Sequence, residues 1–508
     1  MWPSSLCAAP AIPPSSRRRR RSRSAADSRP RVFPCRFSMS GRAYSEMYDR
    51  PVRTEPEQDQ AKRFLAANRS LGELQRKAFW PDVVDRSARG RTGPRGWISS
   101  LAGAARELAR SGQTQAETSG STPESAPVVR SRHRHEYADW ADVMRNGPAD
   151  LAAPIPGLEE KTPLHVAFVI LPFGFGSGGH EVVFRLMQQL EEAGHACSLW
   201  LDDPFGETTS TPVSKIRRQI EQGFGVQLRG PLFKGFDDWH GADVAIATGW
   251  QTVWPMLLLP DTRARAYLVN DDEPDFYPTS LESILAEATY GQGLFCIAGT
   301  EWMLNNLRDR HQVEGGSFDY TPSPAFEPRP VKRREDTVIV YARTVTHRRA
   351  VGLVVMALEE LIVNRGRTIR VQMFGDEYPL PAAFDYEFLG LVRPEDLSWA
   401  YSEATVGVAL SLTNASLAPL DMMACGLPCV DISGGSSESV YGDDAGVEFA
   451  DFDPAAMADT IQRLLDDPQL RGYRSDAGRS FVAGRSWMQA GSQVEALIRR
   501  ALETASRR

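Results

Sequence analysis

The sequence predicts an α/β protein built from two Rossmann-like, doubly wound parallel-sheet domains in tandem, facing each other across a cleft. Three observations carry this expectation. The strand-length apolar run 165–171 leads into the glycine-rich stretch 172–179, a helical pattern over 182–193 and a second apolar run, 196–201. Such a strand–loop–helix–strand unit seeds a parallel sheet. A complete second series of the same kind starts near Thr337. Between the two lies a Pro-rich hinge, 323–334. Ligands of open parallel sheets bind beyond the carboxyl ends of the strands, so two facing sheets put the site in the cleft.

Along the chain, residues 1–54 combine Pro, Ser and a run of five arginines at 17–21 with little to bury, and are expected to be a disordered basic extension. Such a segment could be a nucleic-acid arm, an organellar transit peptide, which its Arg- and Ser-rich, acid-poor composition resembles, or an upstream extension with Met39 and Met47 as alternative starts; the bacterial resemblance of the downstream strings described below ranks the extension first. Residues 55–112 carry helical periodicity at Phe64, Leu65, Leu71, Leu74 and Phe79, and again at Trp97, Ile98, Leu101 and Leu108. Residues 113–160 read as a linker, rich at first in Ser, Thr, Gly and Pro. The first domain should occupy 161–328, with further strands at 244–247, 266–269 and 294–298. The second should occupy 329–478, with strands at 338–341, 369–374, 386–389, 406–410 and 429–432. Its helices are expected at 350–363, 394–403, 420–424 and 454–465. Residues 479–508 should form a closing helix that crosses back to the first domain.

Composition narrows the function classes. A chain of 508 residues is too long for one core. A formal net charge of −7 is mild and calls for no nucleic-acid partner. The cysteines, Cys7, Cys35, Cys197, Cys296, Cys425 and Cys429, are scattered, and the Cys425/Cys429 spacing is not a metal-ligand pattern. Apolar neighbours around Cys197, Cys296 and Cys429 point to buried thiols in a reducing cytosol. No run is long and apolar enough for a membrane span. A cytoplasmic protein is expected, with peripheral contact at the inner membrane face if its acceptor is lipid-linked.

Four motifs carry chemistry. Gly174-x-Gly176-x-x-Gly179, following the first strand, matches a dinucleotide fingerprint, and Asp202 and Asp203 stand near the end of the second strand where a nicotinamide enzyme wants an acid. The same glycines, Gly178 and Gly179 included, equally permit a tight turn. His180 beside them is either a site residue or a polar helix start. Asn270, Asp271, Asp272 and Glu273 follow a strand at its carboxyl end. Their carboxylates could orient or deprotonate an acceptor hydroxyl, bind a hard cation or form a charged turn. Arg343, Arg348 and Arg349 follow a strand and could grip a diphosphate. Finally, residues 416–435 read as loop, short helix, Gly426 closure and buried strand. In that reading 417–419 are loop and Asp421 lies in the first turn of a helix whose amino end could face an anion.

Residues 416–435 resemble the donor site of retaining GT-B glycosyltransferases of family 4, where a loop precedes Pro-x-Glu-Ala-Met-Ala-x-Gly-x-Pro. Asp421 stands where that family has its second conserved Glu. The string YLVNDDEPDFYP resembles the QDYEPxFYP-like segment of the subgroup of rhamnosyltransferases that build bacterial surface glycans, with Asp271 at the family's acid. Arg343 and Arg348 keep the spacing of the family's Arg and Lys, with Arg in place of Lys. The resemblance runs from about Leu164 to Leu502. It implies a GT-B fold and a metal-independent hexosyltransferase that uses no cofactor beyond its nucleotide-sugar donor. That donor would be dTDP-rhamnose, its acceptor a saccharide or lipid-linked glycan. Arg343, Arg348 and Asp421 would hold the donor, with Gly375, Ser416 and Leu417 around it. Gly390, Leu391 and Val392 would hold the base. Asp271, His180, Gly178 and Gly179 would face the acceptor. One departure stands out: Thr413 occupies the place of the family's first Glu. A nicotinamide-dependent oxidoreductase and a non-catalytic binding protein of the same fold are the alternatives.

Overall fold

The computed structural model describes residues 137–507 apart from 156, 160 and 175. The expectations for 1–54 and 55–112, and most of that for 113–160, fall outside the described residues.

The first sheet has seven parallel strands in the order β3-β2-β1-β4-β5-β6-β7: β1 His165–Ile170, β2 Ala196–Leu201, β3 Leu232–Lys234, β4 Ala242–Ala247, β5 Thr262–Val269, β6 Phe295–Gly299 and β7 Gly315–Phe318. The second has six, in the order β10-β9-β8-β11-β12-β13: β8 Thr337–Tyr341, β9 Arg370–Phe374, β10 Glu387–Gly390, β11 Val406–Val408, β12 Cys429–Ile432 and β13 Val447–Ala450. Every pairing within the two sheets is parallel. Central strands such as Val166–Ile170 are buried along their length because helices cover both sheet faces, which is why they read as unbroken apolar runs.

Thirteen α-helices are described: α1 Ala138–Asn146, α2 Gly178–Glu192, α3 Val213–Phe224, α4 Trp250–Leu257, α5 Leu281–Tyr290, α6 Glu301–His311, α7 Val351–Glu359, α8 Pro394–Glu403, α9 Leu417–Ala424, α10 Ser436–Tyr441, α11 Pro454–Asp466, α12 Pro468–Ala483 and α13 Trp487–Ser506. A π-helical turn, Glu360–Asn364, prolongs α7. The hinge is fastened to the second lobe: Arg333 donates to the carbonyl of Ala404 at 2.6 Å and to that of Tyr401 at 3.1 Å. The last helix returns to the first lobe, packing on α2, where Trp487 Nε1 donates to the carbonyl of Pro322 at 3.0 Å and Gln493 Oε1 accepts from Asp319 N at 2.9 Å.

One expected element needs correction. Residues 417–419 are not loop. The helix α9 starts at Leu417, and the Ser416 hydroxyl caps it by accepting from Ala418 N at 3.3 Å. Pro419 sits within the first turn, where its missing N–H costs nothing. Asp421 is therefore one turn further along than its spacing suggested, and the helix end that faces the cleft is Ser416–Ala418.

Candidate active site

A cavity of about 410 Å³ lies between the two sheets, lined from both lobes by loops that leave the carboxyl ends of strands. The first lobe contributes the loop after β1 with the start of α2, Thr248 after β4, the acidic segment after β5 and Tyr320 after β7. The second contributes Tyr341 to Arg349 after β8, Gly375 after β9, Leu391 and Val392 after β10 and Ala415 to Asp421 after β11. The lobes come close where α2 and α9 begin. A Cβ on Gly178 would lie 3.4 Å from Leu417 Cδ1, an ordinary contact distance, so two helix amino ends approach one cavity there.

The arginines stand on the second wall. Arg343 donates to the carbonyl of Gly375 at 3.2 Å. Gly375 has φ of 111°, and any side chain there would run into the Tyr341 ring at 2.9 Å. Its N–H donates to the carbonyl of Gly390, which joins the two loop glycines the sequence singled out. Arg348 lies with its guanidinium carbon 4.0 Å above the Phe276 ring and its Nε 2.8 Å from Asp271 Oδ2. Burial pulls its pKa down, partly offset by the Asp271 charge. Arg349 is buried over Tyr341 and points to the carbonyl of Leu410.

The first wall is acidic, and every acid is engaged. Asp271 Oδ1 accepts from its neighbour Asp272 N and from Asn414 N, each at 3.0 Å, while Oδ2 faces Arg348. Asp272 Oδ2 accepts from Asn306 at 2.9 Å and pairs with Arg310. Glu273 accepts from Trp250 N, the first N–H of α4, at 2.6 Å. Burial, with the nearby Asp271 charge in the same direction, pushes Glu273 up to about 7. His180 meets Ser177 Oγ at 2.8 Å and rests against Phe173 and Phe184. Burial lowers its pKa to about 4, so it is a neutral imidazole at neutral pH.

Asp421 lines the cavity floor. Its Oδ1 accepts from Ser323 N at 3.0 Å, beside the Glu181–Arg185 pair of α2. Enclosure of the carboxyl and the Glu181 charge hold its pKa well above the usual range. The structure thus brings the sequence-selected residues from Gly178 to Asp421 around one cavity, except Gly390, which lies behind its lining with its carbonyl accepting from Gly375 N. Asp203 is elsewhere: its carboxylate is spent on Glu207 N and Thr208 in its own loop.

Sequence reasoning missed Asn414. It is 1% exposed and crosses from the second lobe into the first. Its side-chain amide donates to the carbonyls of Asn270, at 2.9 Å, and Gly299, and its Oδ1 accepts from Thr300 Oγ1 at 2.8 Å. An asparagine in a Ser/Thr/Asn loop looks like solvated turn chemistry, and no one-dimensional signal separates the two.

Two facing doubly wound sheets with a C-terminal helix returning to the first define the GT-B architecture. Solved structures share that fold. Sucrose-phosphate synthase from Thermosynechococcus elongatus is similar at a TM-score of 0.53 and 16% identity, over 67% of this chain and 99% of that one. A mutant of TarM from S. aureus, in complex with fondaparinux, alpha-GlcNAc-glycerol and UDP, is similar at 0.54 and 9% identity, over 67% and 99%. Within the second lobe, residues 335–467 match the glycosyl transferases group 1 family. The O-antigen biosynthesis protein RfbC of Myxococcus xanthus is 27% identical over 271 residues, which are 52% of this chain and 21% of that protein. The matched region therefore spans about a fifth of that curated relative.

Proposed function

We propose that this chain is a glycosyltransferase of bacterial glycan synthesis that moves a sugar from a nucleoside diphosphate onto a saccharide or lipid-linked acceptor. The observation that carries the reading is the convergence of Arg343, Arg348 and the capped amino end of α9 on one cavity within the group 1 domain. In such a transfer the bond from the anomeric carbon to the diphosphate oxygen breaks, and a bond to an acceptor hydroxyl oxygen forms. The hydroxyl proton leaves to the diphosphate or to water. Negative charge gathers on the departing diphosphate, where two guanidiniums and a helix amino end stabilise it. Leu391 and Val392, with Gly375 and Gly390, would frame the base. Asp421 would meet the pentose, and Gly178, Gly179 and neutral His180 would line the acceptor side.

The finer proposal is L-rhamnose from dTDP-rhamnose, transferred with retention and without a metal. The resemblance of YLVNDDEPDFYP to rhamnosyltransferases supports the sugar, and the O-antigen relative supports the setting. Metal independence is supported by the first wall, whose acids are held by Arg348, Arg310, Asn306 and the amino end of α4 rather than left open to a cation. Among the described residues no helix is long and apolar enough to cross a membrane. A peripheral contact at the inner membrane face remains part of the proposal for a lipid-linked acceptor.

Thermal shift with dTDP, UDP and NAD tests the reading. Stabilisation by a nucleoside diphosphate and none by NAD is expected. The reverse would restore the oxidoreductase. Transfer assays with dTDP-rhamnose in excess EDTA test the finer part, since loss of activity restored by Mg²⁺ or Mn²⁺ would overturn metal independence. A non-catalytic role is favoured by one observation, the Thr413 hydroxyl, buried without a partner where the family has a carboxylate. Nucleotide binding without transfer to any acceptor would establish it.

A further inference from the structure

We infer that Asp271 is a positioning residue of the donor site, reaching across the cleft to orient Arg348, rather than a group that meets the acceptor hydroxyl. The inference rests on the proposal that the cavity binds a nucleoside diphosphate. Asp271 belongs to the first lobe and Arg348 to the second, and each is largely buried, with side chains 11% and 22% exposed. A buried guanidinium needs a counter-charge, and the one facing it here is Asp271 Oδ2, 2.8 Å from Nε. Below the guanidinium plane lies Phe276, 4.0 Å from Cζ, from the same segment as Asp271. One edge of Arg348 thus faces the Asp271 charge, with no aligned hydrogen bond at Nε, and one face packs on the first lobe. Among the described residues no hydrogen bond occupies its Nη atoms, and the residue lines the cavity. Those two amines form the fork that binds two oxygens of an anion at once.

Asp271 itself is fixed. Its Oδ1 accepts from two backbone N–H groups, one of them Asn414 N of the opposite lobe. With both oxygens engaged, little acceptor capacity remains to take a proton from an incoming hydroxyl. The arrangement has a consequence for recognition. The diphosphate fork is complete only while the two lobes are together, because its scaffold is divided between them. Donor binding and lobe closure are then coupled through one ion pair.

The test is a double-mutant cycle read by calorimetric titration of dTDP and of UDP. Asp271→Asn retains an oxygen for the two backbone donors, removes the charge and sets an amide against Nε. In the wild-type background it should weaken nucleotide binding about ten-fold, the scale of one charge-assisted contact. In an Arg348→Ala background the same change should add less than about two-fold, because the two residues act as one unit. Asp271→Glu, which keeps the charge, should recover part of the affinity. Unchanged nucleotide affinity in Asp271→Asn, with turnover alone lost, would return Asp271 to the acceptor side and overturn the inference. Tighter nucleotide binding in that variant would also overturn it, by showing that Asp271 competes with the phosphates. Equal losses in both backgrounds would do the same, because Asp271 would then act independently of Arg348. If wild-type protein bound neither nucleotide, the underlying reading would fail, and that outcome is separate from those three.

Discussion

The two walls of the cleft are built from opposite charges by opposite means. The second lobe presents arginines on loops after β8, held by carbonyls, an aromatic face and one partner carboxylate. The first presents acids after β5 that are buried, paired and, at Glu273, pushed toward neutrality. A wall of free carboxylates would repel a diphosphate. A wall of engaged ones orders the cationic wall without opposing the ligand. The contrast teaches that the acids are better understood as supports of the site than as its reactive groups.

The largest effect should follow from breaking the one ion pair that joins the walls. Arg348→Ala leaves Asp271 buried without its counter-charge, which should cost about 3 kcal/mol of stability and weaken nucleotide binding by more than about ten-fold while leaving it measurable. Urea unfolding and calorimetry check the two parts. A loss of binding with unchanged stability would mean that the cross-cleft pair is not a support.

The uncharged bridge comes next. Asn414→Ala removes a donor from each of two first-lobe carbonyls, leaving that of Asn270 only Tyr320 Oη, and should cost about 2 kcal/mol. It should also make the hinge segment 323–334 more open to limited proteolysis, because the lobes lose a connection. Stability loss without faster cleavage would show that Asn414 supports its own loop only.

Glu273 sharpens the comparison through pH. Its folded pKa is raised from 4.5 to about 7 by burial. Below 4.5 both folded and unfolded states hold the proton, and the contribution to stability is complete. As pH rises from 4.5 to 7 the unfolded state releases the proton first, and stability is lost. Glu273→Gln cannot ionise yet can still accept from Trp250 N. Its stability relative to wild type should rise across that window, by on the order of 3 kcal/mol, and flatten above it. A pH-independent difference between the two proteins, measured by urea unfolding from pH 4.5 to 8, would place the Glu273 charge in a better-solvated setting.

The same contrast explains what was legible in the sequence. The central strands were readable because burial on both faces leaves an unbroken apolar run, as at 166–170. The edge strands β3, β7 and β13 were not. Gly315–Phe318 has two glycines and no apolar pattern, and Val447–Ala450 carries Glu448, whose charge is met by Arg463 and Arg474 from helices far along the chain. At the site, local spacing singled out Arg343, Arg348 and Asp421 because motifs are local. The partners of those groups are not local. Asp271 meets Arg348 across 77 positions (348 − 271) and Asp421 meets Ser323 across 98. Pairing of that kind is set by how two sheets face each other, which no window of sequence contains.

The smallest effect concerns the helix end that completes the cationic wall. Ser416 is 5% exposed, and its hydroxyl accepts from Ala418 N while its carbonyl accepts from Tyr441 Oη at 2.7 Å. Ser416→Ala removes only the first of these and should cost about 0.5–1 kcal/mol, the ordinary worth of an N-cap at a long contact. The amino-end N–H groups and the dipole remain, so nucleotide affinity should change by less than about three-fold. Ser416→Asp gives the opposite split. It can cap as well as Ser, so stability should stay near wild type, but it sets a negative charge at the place where the diphosphate is expected, and affinity should fall about ten-fold. Thermal melts and dTDP titration of the two variants separate cap from anion site. If Ser416→Asp binds nucleotide as tightly as wild type, the end of α9 does not face the diphosphate, and the cationic wall consists of its arginines alone.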